Sequence, residues 1–363
     1  MKALINRFSR TSLLILTTLS LGVILPNALF ASGSVCFSQG YVEVDVLAGS
    51  DTLVSIPFHR SVEHVGTLAA VPAQSNGEAV LSAAGDDPEW ETDAYNDLYF
   101  VRFIDGSLQG LCFTVVSNDS SVLTVDDLGA DFSGLTAGVK FELIPYWTLE
   151  TLFPPAEDNG LTPSTGKLTF QRKTQLLYPN LAGTGINLSV SAVYFFTTND
   201  GWLEDTSGFP DASNVIIYPD TYIIIRQPSS VADTSISLSG SVDMHPLTTS
   251  LATEVGTKQD NFVSLNRPIP VTLAQSGLAS GFVESTGKLS FQRKDELLVF
   301  DNTTAATNRS ASKIFFMTGG SWFEDTSGFP NADSFLIQPG SAMIVRKAAN
   351  DGDTDFAVTT APY

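Results

Sequence analysis

The sequence predicts an all-β protein of two tandem sandwich- or barrel-like modules, the first enlarged by an inserted β-meander. Three observations carry that expectation. Short apolar, aromatic and β-branched runs such as VIIYP, YIIIRQ, FLIQP and MIVRK recur between Gly, Pro, Asn and Asp punctuation. No stretch of about 12 residues holds a helical apolar period, and only ETLFPP and LAQSGL read as a turn or two of helix. Finally, several blocks of sequence are written twice at a nearly constant spacing, the mark of a duplicated unit.

The repeated blocks define the modules. STGKLTFQRK at 164–173 returns as STGKLSFQRK at 285–294, and NLSVSAVYFFT at 187–197 as NRSASKIFFMT at 308–318. WLEDTSGFPDAS at 202–213 returns as WFEDTSGFPNAD at 322–333, and VIIYPDTYIIIRQ at 215–227 as FLIQPGSAMIVRK at 335–347. The offset is 121 before the tryptophan and 120 from it onward, so one residue is lost just ahead of Trp322. A fainter pair, LVSIP at 53–57 and FVSLNRP at 262–268, precedes each copy. Module one is expected over 34–233 and module two over 234–363, with the inserted meander at about 67–147. The insertion reads as four strands with turns at Asp105-Gly106, Asn118-Asp119 and Thr136-Ala137-Gly138. Pro339-Gly340 suits a type II turn, since Pro presets φ and Gly accepts the positive φ at the next position; Pro219-Asp220 fills that place less ideally. Two copies are too few for a solenoid.

The first 33 residues read as a secretory signal peptide. Lys2, Arg7 and Arg10 precede the apolar run Leu13–Leu25, and the small residues Ala28, Ala31, Ser32 and Gly33 come after it. The run falls short of the about 20 residues that a membrane span needs, so no span is expected after cleavage. The implied location is secreted, extracellular or at the cell surface, with the periplasm also compatible. Cleavage removes three bases and no acid, leaving 39 acids against 16 bases, a charge of −23. That balance opposes binding to nucleic acid and favours cationic partners. Cys36 and Cys112, the two cysteines, are candidates for one disulfide in an oxidising compartment.

The series LVSIP…W…PG…VR resembles short β-modules of secreted and surface proteins of bacteria. Over nearly all its mature length the chain is similar to an uncharacterised family of secreted bacterial proteins built from such tandem modules. The resemblance implies export and architecture and brings no catalytic residues with it.

The repeated tryptophan loops are the foremost candidate ligand sites. Exposed Trp202 beside Glu204 and Asp205, and Trp322 beside Glu324 and Asp325, would stack on a sugar ring and accept its hydroxyls. The alternative makes the rings core plugs and Asp-Thr-Ser-Gly a tight corner. STGKLxFQRK reads as a solvated strand whose Lys167, Arg172, Lys288 and Arg293 meet carboxylates of a neighbouring copy or of their own module. Calcium is a weak candidate cofactor. Asp86-Asp87-Pro88-Glu89 and the run holding Asp351, Asp353 and Asp355 are the dense acidic loops, and neither keeps a calcium-loop spacing. His59, His64 and His245 form no zinc pattern, and no nucleophile elbow is present. Asn118, Asn187, Asn302 and Asn308 head Asn-x-Ser/Thr sequons. The expected role is a non-enzymatic one in an extracellular or cell-surface assembly, by adhesion or matrix building, with itself or a surface polysaccharide as partner. A carbohydrate-binding protein is the alternative, and a glycoside hydrolase, which needs only two carboxylates, a more distant one.

Overall fold

The computed structural model describes residues 38–85, 88–349 and 356–360. The expected signal segment, Cys36, Asp86, Asp87 and the run of Asp351, Asp353 and Asp355 lie outside the described residues. The β-branched runs form strands where their alternation demands. Module one opens with β1 (Gln39–Val46) and β2 (Ser50–Ser55). The insertion then contributes β3 (His64–Thr67), β4 (Ala73–Ser75), β5 (Glu78–Ser82), β6 (Tyr99–Phe103), β7 (Cys112–Asn118), β8 (Val122–Asp126) and β9 (Lys140–Pro145). These seven strands make one antiparallel sheet in the order β3-β9-β6-β7-β8-β5-β4 over their own core, which holds Val101, Phe103, Phe113, Phe132 and Phe141.

The expected four strands are present, but they are not a meander. β9 pairs with β6 rather than β8, so the spatial order is fourth-first-second-third, a Greek key. The 127–139 connection makes this possible by crossing the core, where Phe132 sits fully buried as a plug. Gly106 and Gly138 take positive φ in the turns at either side.

Module one resumes with β10 (Trp147–Thr148), helix α1 (Leu149–Leu152), β11 (Gln175–Pro179), β12 (Val190–Thr197), β13 (Gly201–Glu204), β14 (Ile216–Ile217) and β15 (Tyr222–Gln227). β16 (Thr234–Ser241) starts at the expected module boundary, yet it pairs with β1 along all eight residues and so closes the first module. Module two holds β17 (Leu247–Leu251), β18 (Gln259–Val263), β19 (Val271–Thr272), β20 (Glu296–Val299), β21 (Lys313–Thr318), β22 (Ser321–Glu324), β23 (Leu336–Ile337), β24 (Met343–Lys347) and β25 (Phe356–Thr360). The main sheets run β13-β12-β11-β15-β2 and β22-β21-β20-β24-β18, the same order under the repeat. In each module a two-stranded ribbon, β1 with β16 or β17 with β25, supplies apolar residues to the core of the five-stranded sheet. ETLFPP gives α1, and LAQSGL gives short 3₁₀ turns at Leu273–Gln275 and Leu278–Gly281.

The Pro turns show why glycine matters at one of them. Gly340 has φ +75° and Ser341 N–H reaches the Gln338 carbonyl at 3.2 Å, as a type II turn requires. At Asp220 no positive φ occurs and the matching bond stretches to 3.5 Å.

The two main sheets face each other. Leu53, Tyr222, Leu298, Ala342 and Ile344 form a buried layer between them. Reciprocal clamps flank it. Arg226 binds Asp51 and reaches Asn308 of the other module at 2.9 Å, while the Asn308 N–H donates to Asp51 at 2.6 Å. Arg346 binds Asp260 and reaches Asn187 at 3.1 Å, and the Asn187 N–H donates to Asp260 at 2.8 Å. Each module thus gives the same loop and receives the same loop, an isologous contact within one chain. The insertion is tied in by Arg102, buried between Glu142 at 2.7 Å and Asp243, whose carboxylate also accepts from Asn266.

Acid should weaken this fold early. Burial pushes the His59 pKa below 6.5 and does the same to His64, which packs edge-on against Trp90. The unfolded chain then binds protons that the folded chain refuses, so stability is lost as pH falls through about 6.5 and is unaffected by these groups above it. Urea midpoints measured between pH 7.5 and 5.5 are expected to decline steadily. A constant midpoint would contradict the assignment.

Candidate functional site

The WxEDTSGFP loops and the STGKLxFQRK loops come together at one end of each module. Trp202 on β13 and Trp322 on β22 are only 0% and 2% exposed. The Trp202 ring packs 4.9 Å from Phe196 and its Nε1–H donates to the Phe153 carbonyl at 2.9 Å; the Trp322 ring lies 4.8 Å from Phe282. The expected stacking platform is therefore corrected: the flat apolar faces are used by the core. Each tryptophan leads into a corner closed by its own backbone. Ala212 N–H returns to the Trp202 carbonyl and Glu204 N–H to that of Pro210, with Ala332 and Glu324 doing the same in module two. Phe209 and Phe329 sit at φ 49° and 45°, a left-handed conformation a bulky residue holds only where its surroundings enforce it.

Enforcement comes from an arginine. Arg172 binds Asp205 and lies 4.7 and 5.8 Å from the ring centres of Phe195 and Phe209. Arg293 repeats this with Asp325 at 2.6 Å and with Phe316 and Phe329 at 4.1 and 5.5 Å. A guanidinium held between two rings with a carboxylate at its edge combines cation–π attraction with an ion pair. Glu204 is partly exposed at the end of β13, and Glu324 accepts from Lys313 at 2.7 Å. Asp205 and Asp325 thus serve the corner, and their arginines are satisfied within their own module.

The STGKLxFQRK segment is not the expected strand. It is a loop closed by a 3₁₀ turn at Thr169–Gln171, and at Ser290–Gln292 in the second copy. Arg172 and Arg293 donate into the carbonyls of Lys167 and Lys288, and the glutamine amides bind the N–H of Leu168 and Leu289 at 3.2 Å. A side chain at Gly166 or Gly287 would collide with that amide. The glycine, glutamine and arginine of the motif therefore fold the loop. The apolar residues do not: Phe170 and Phe291 are 80% and 81% exposed, with Leu168 and Leu289 exposed beside them. Sequence reasoning missed these tips because Leu-x-Phe is also strand composition. The Thr-Gly turn ahead of it was the available signal.

Of the remaining candidates, Cys112 stands on β7 opposite Arg102, and its pairing with Cys36 falls outside the described residues. Among the described residues no group of three His, Cys, Asp or Glu is placed to hold a metal, and no helix is long and apolar enough to cross a membrane. The sequon asparagines are structural. Asn118 donates to the Glu91 carbonyl, Asn302 bonds both backbone groups of Leu53, and Asn187 and Asn308 complete the clamps. Compared with described protein families, curated proteins and solved structures, the chain matches none.

Proposed function

We propose that this is a secreted, non-enzymatic β-module protein of an extracellular or cell-surface assembly, with a second copy of itself docking on the two Leu–Phe tips. One observation carries the reading. Two loops built alike each hold a leucine and a phenylalanine in solvent, although nothing in their anchoring uses either side chain. Burying one such ring against a partner is worth about 1.5–3 kcal/mol. Charge supports a second copy as that partner. Lys167, Lys173, Lys288 and Lys294 flank the tips of a chain whose formal charge is otherwise strongly negative, so tips and body attract across molecules.

Sedimentation velocity of residues 34–363 tests this. Association is expected at low salt, weaker at high salt as the charges are screened, and absent in the double variant Phe170→Ser/Phe291→Ser. That variant should keep its stability to within about 0.5 kcal/mol, because the rings touch little of the fold. A wild-type monomer at every salt and concentration would overturn self-assembly.

A further inference from the structure

A groove of about 400 Å³ lies where the modules meet, between the 181–184 turn, Asp220-Thr221, and strands β17 and β18. The reciprocal arrangement of the modules supplies a built-in comparison. Along the outer edge of β2, Asp51 N–H donates to the Ala306 carbonyl, Leu53 N–H to Asn302 Oδ1 at 3.2 Å, and Ser55 N–H to the Gly340 carbonyl. Asn302 Nδ2 donates back to the Leu53 carbonyl at 2.9 Å, so one carboxamide completes the strand edge. Along β18 the outer two bonds recur, Asp260 N–H to Gly185 and Ser264 N–H to Asp220. The middle one does not. Phe262 occupies the place of Leu53, and strand alternation turns its N–H and C=O outward with those of its neighbours. Leu181, 121 residues before Asn302, has no amide to offer. Among the described residues nothing bonds the outward Phe262 pair, and Phe262 lines the groove.

Other polar groups repeat the contrast. Ser55 Oγ donates to the Ser341 carbonyl at 3.0 Å, whereas its counterpart Ser264 Oγ is buried without a partner among the described residues, as is Thr221 Oγ1 in the groove wall. Asp220, where module two has Gly340, lines the groove, and its carboxyl bonds no other residue among those described. Burial raises the pKa of that carboxyl above the usual carboxylate value.

We propose that this groove binds an N-acetylated amino sugar, its acetamido group seated on the Phe262 backbone as the Asn302 side chain is seated on Leu53. The acetyl methyl would face Leu181, and the ring hydroxyls Asp220, Thr249, Ser250 and Glu254. Because both neighbouring positions on β18 are already bonded, the notch is one amide wide, and a peptide cannot add as a strand. The volume falls in the range of small-molecule sites, about 300–1,000 Å³, which favour domain junctions.

Calorimetric titration of residues 34–363 with N-acetylglucosamine and N,N′-diacetylchitobiose, against glucose and glucosamine, decides the matter. The N-acetylated sugars are expected to bind at least tenfold more tightly than the others. Leu181→Asn places the sister module's own carboxamide in the notch, so it should fold normally and lose at least tenfold in affinity. No binding of N-acetylated sugars, equal binding of glucose, affinity unchanged by Leu181→Asn, or preference for acetyl-asparagine amide would each overturn the proposal. The Phe170→Ser/Phe291→Ser variant should bind as wild type, which separates this site from the tips.

Discussion

Trp202→Ala is expected to cost about 3–5 kcal/mol of stability, the range for truncating a large buried aromatic side chain. The ring is fully enclosed and faces Phe196. Its Nε1–H also satisfies the buried Phe153 carbonyl, and leaving that acceptor without its partner adds to the loss. Trp322 fills the same place but makes no such bond among the described residues. Trp322→Ala should therefore cost less, by about 1 kcal/mol. Denaturant titration of both variants checks the size and the order. Losses under about 1 kcal/mol in both would mean that the rings do not hold the corners.

The second large effect concerns one position solved in two ways. In module two Lys347 and Asp295 form an ion pair with both side chains 1% exposed, and Lys347 also donates to the Gly281 carbonyl. The repeat places Gln227 and Thr174 at the same two positions of module one, joined at 3.0 Å as a neutral pair. Lys347→Gln leaves the Asp295 carboxylate buried without its counter-charge, and Asp295→Thr strands the ammonium. Each should cost about 3–5 kcal/mol. The double variant Asp295→Thr/Lys347→Gln imports the neutral solution and should recover most of that loss. A double-mutant cycle measures the coupling directly. Additive losses would show that the two groups do not depend on one another.

The strands and the repeat were legible because they rest on local facts: alternation, β-branched runs, and Pro-Gly at a turn needing positive φ. What escaped the sequence depends on contacts between distant residues. The insertion's fourth strand joins β6 because Phe132 must reach the core, and no local signal distinguishes that from a meander. Trp202 reads as plug or platform until Phe153 and Phe196 are known to surround it. Pairing of Arg172 within its own module was legible, and Asp205 is the partner, but the rings of Phe195 and Phe209 that close on it were not. The Leu181 groove is visible only when the two modules are compared across their shared interface.

The reciprocal clamps have a consequence for dilution. A lone module bearing this sheet face would pair with its twin only above some threshold concentration, and would come apart when spread through a large volume. Here five residues, 242–246, join β16 to β17. A short tether of this kind holds two sites at an effective concentration on the order of millimolar, whatever the concentration outside. The covalent link has thus turned a pairing governed by mass action into a permanent one. However far the protein is diluted, both halves of the Asp51–Arg226–Asn308 and Asp260–Arg346–Asn187 contacts stay engaged.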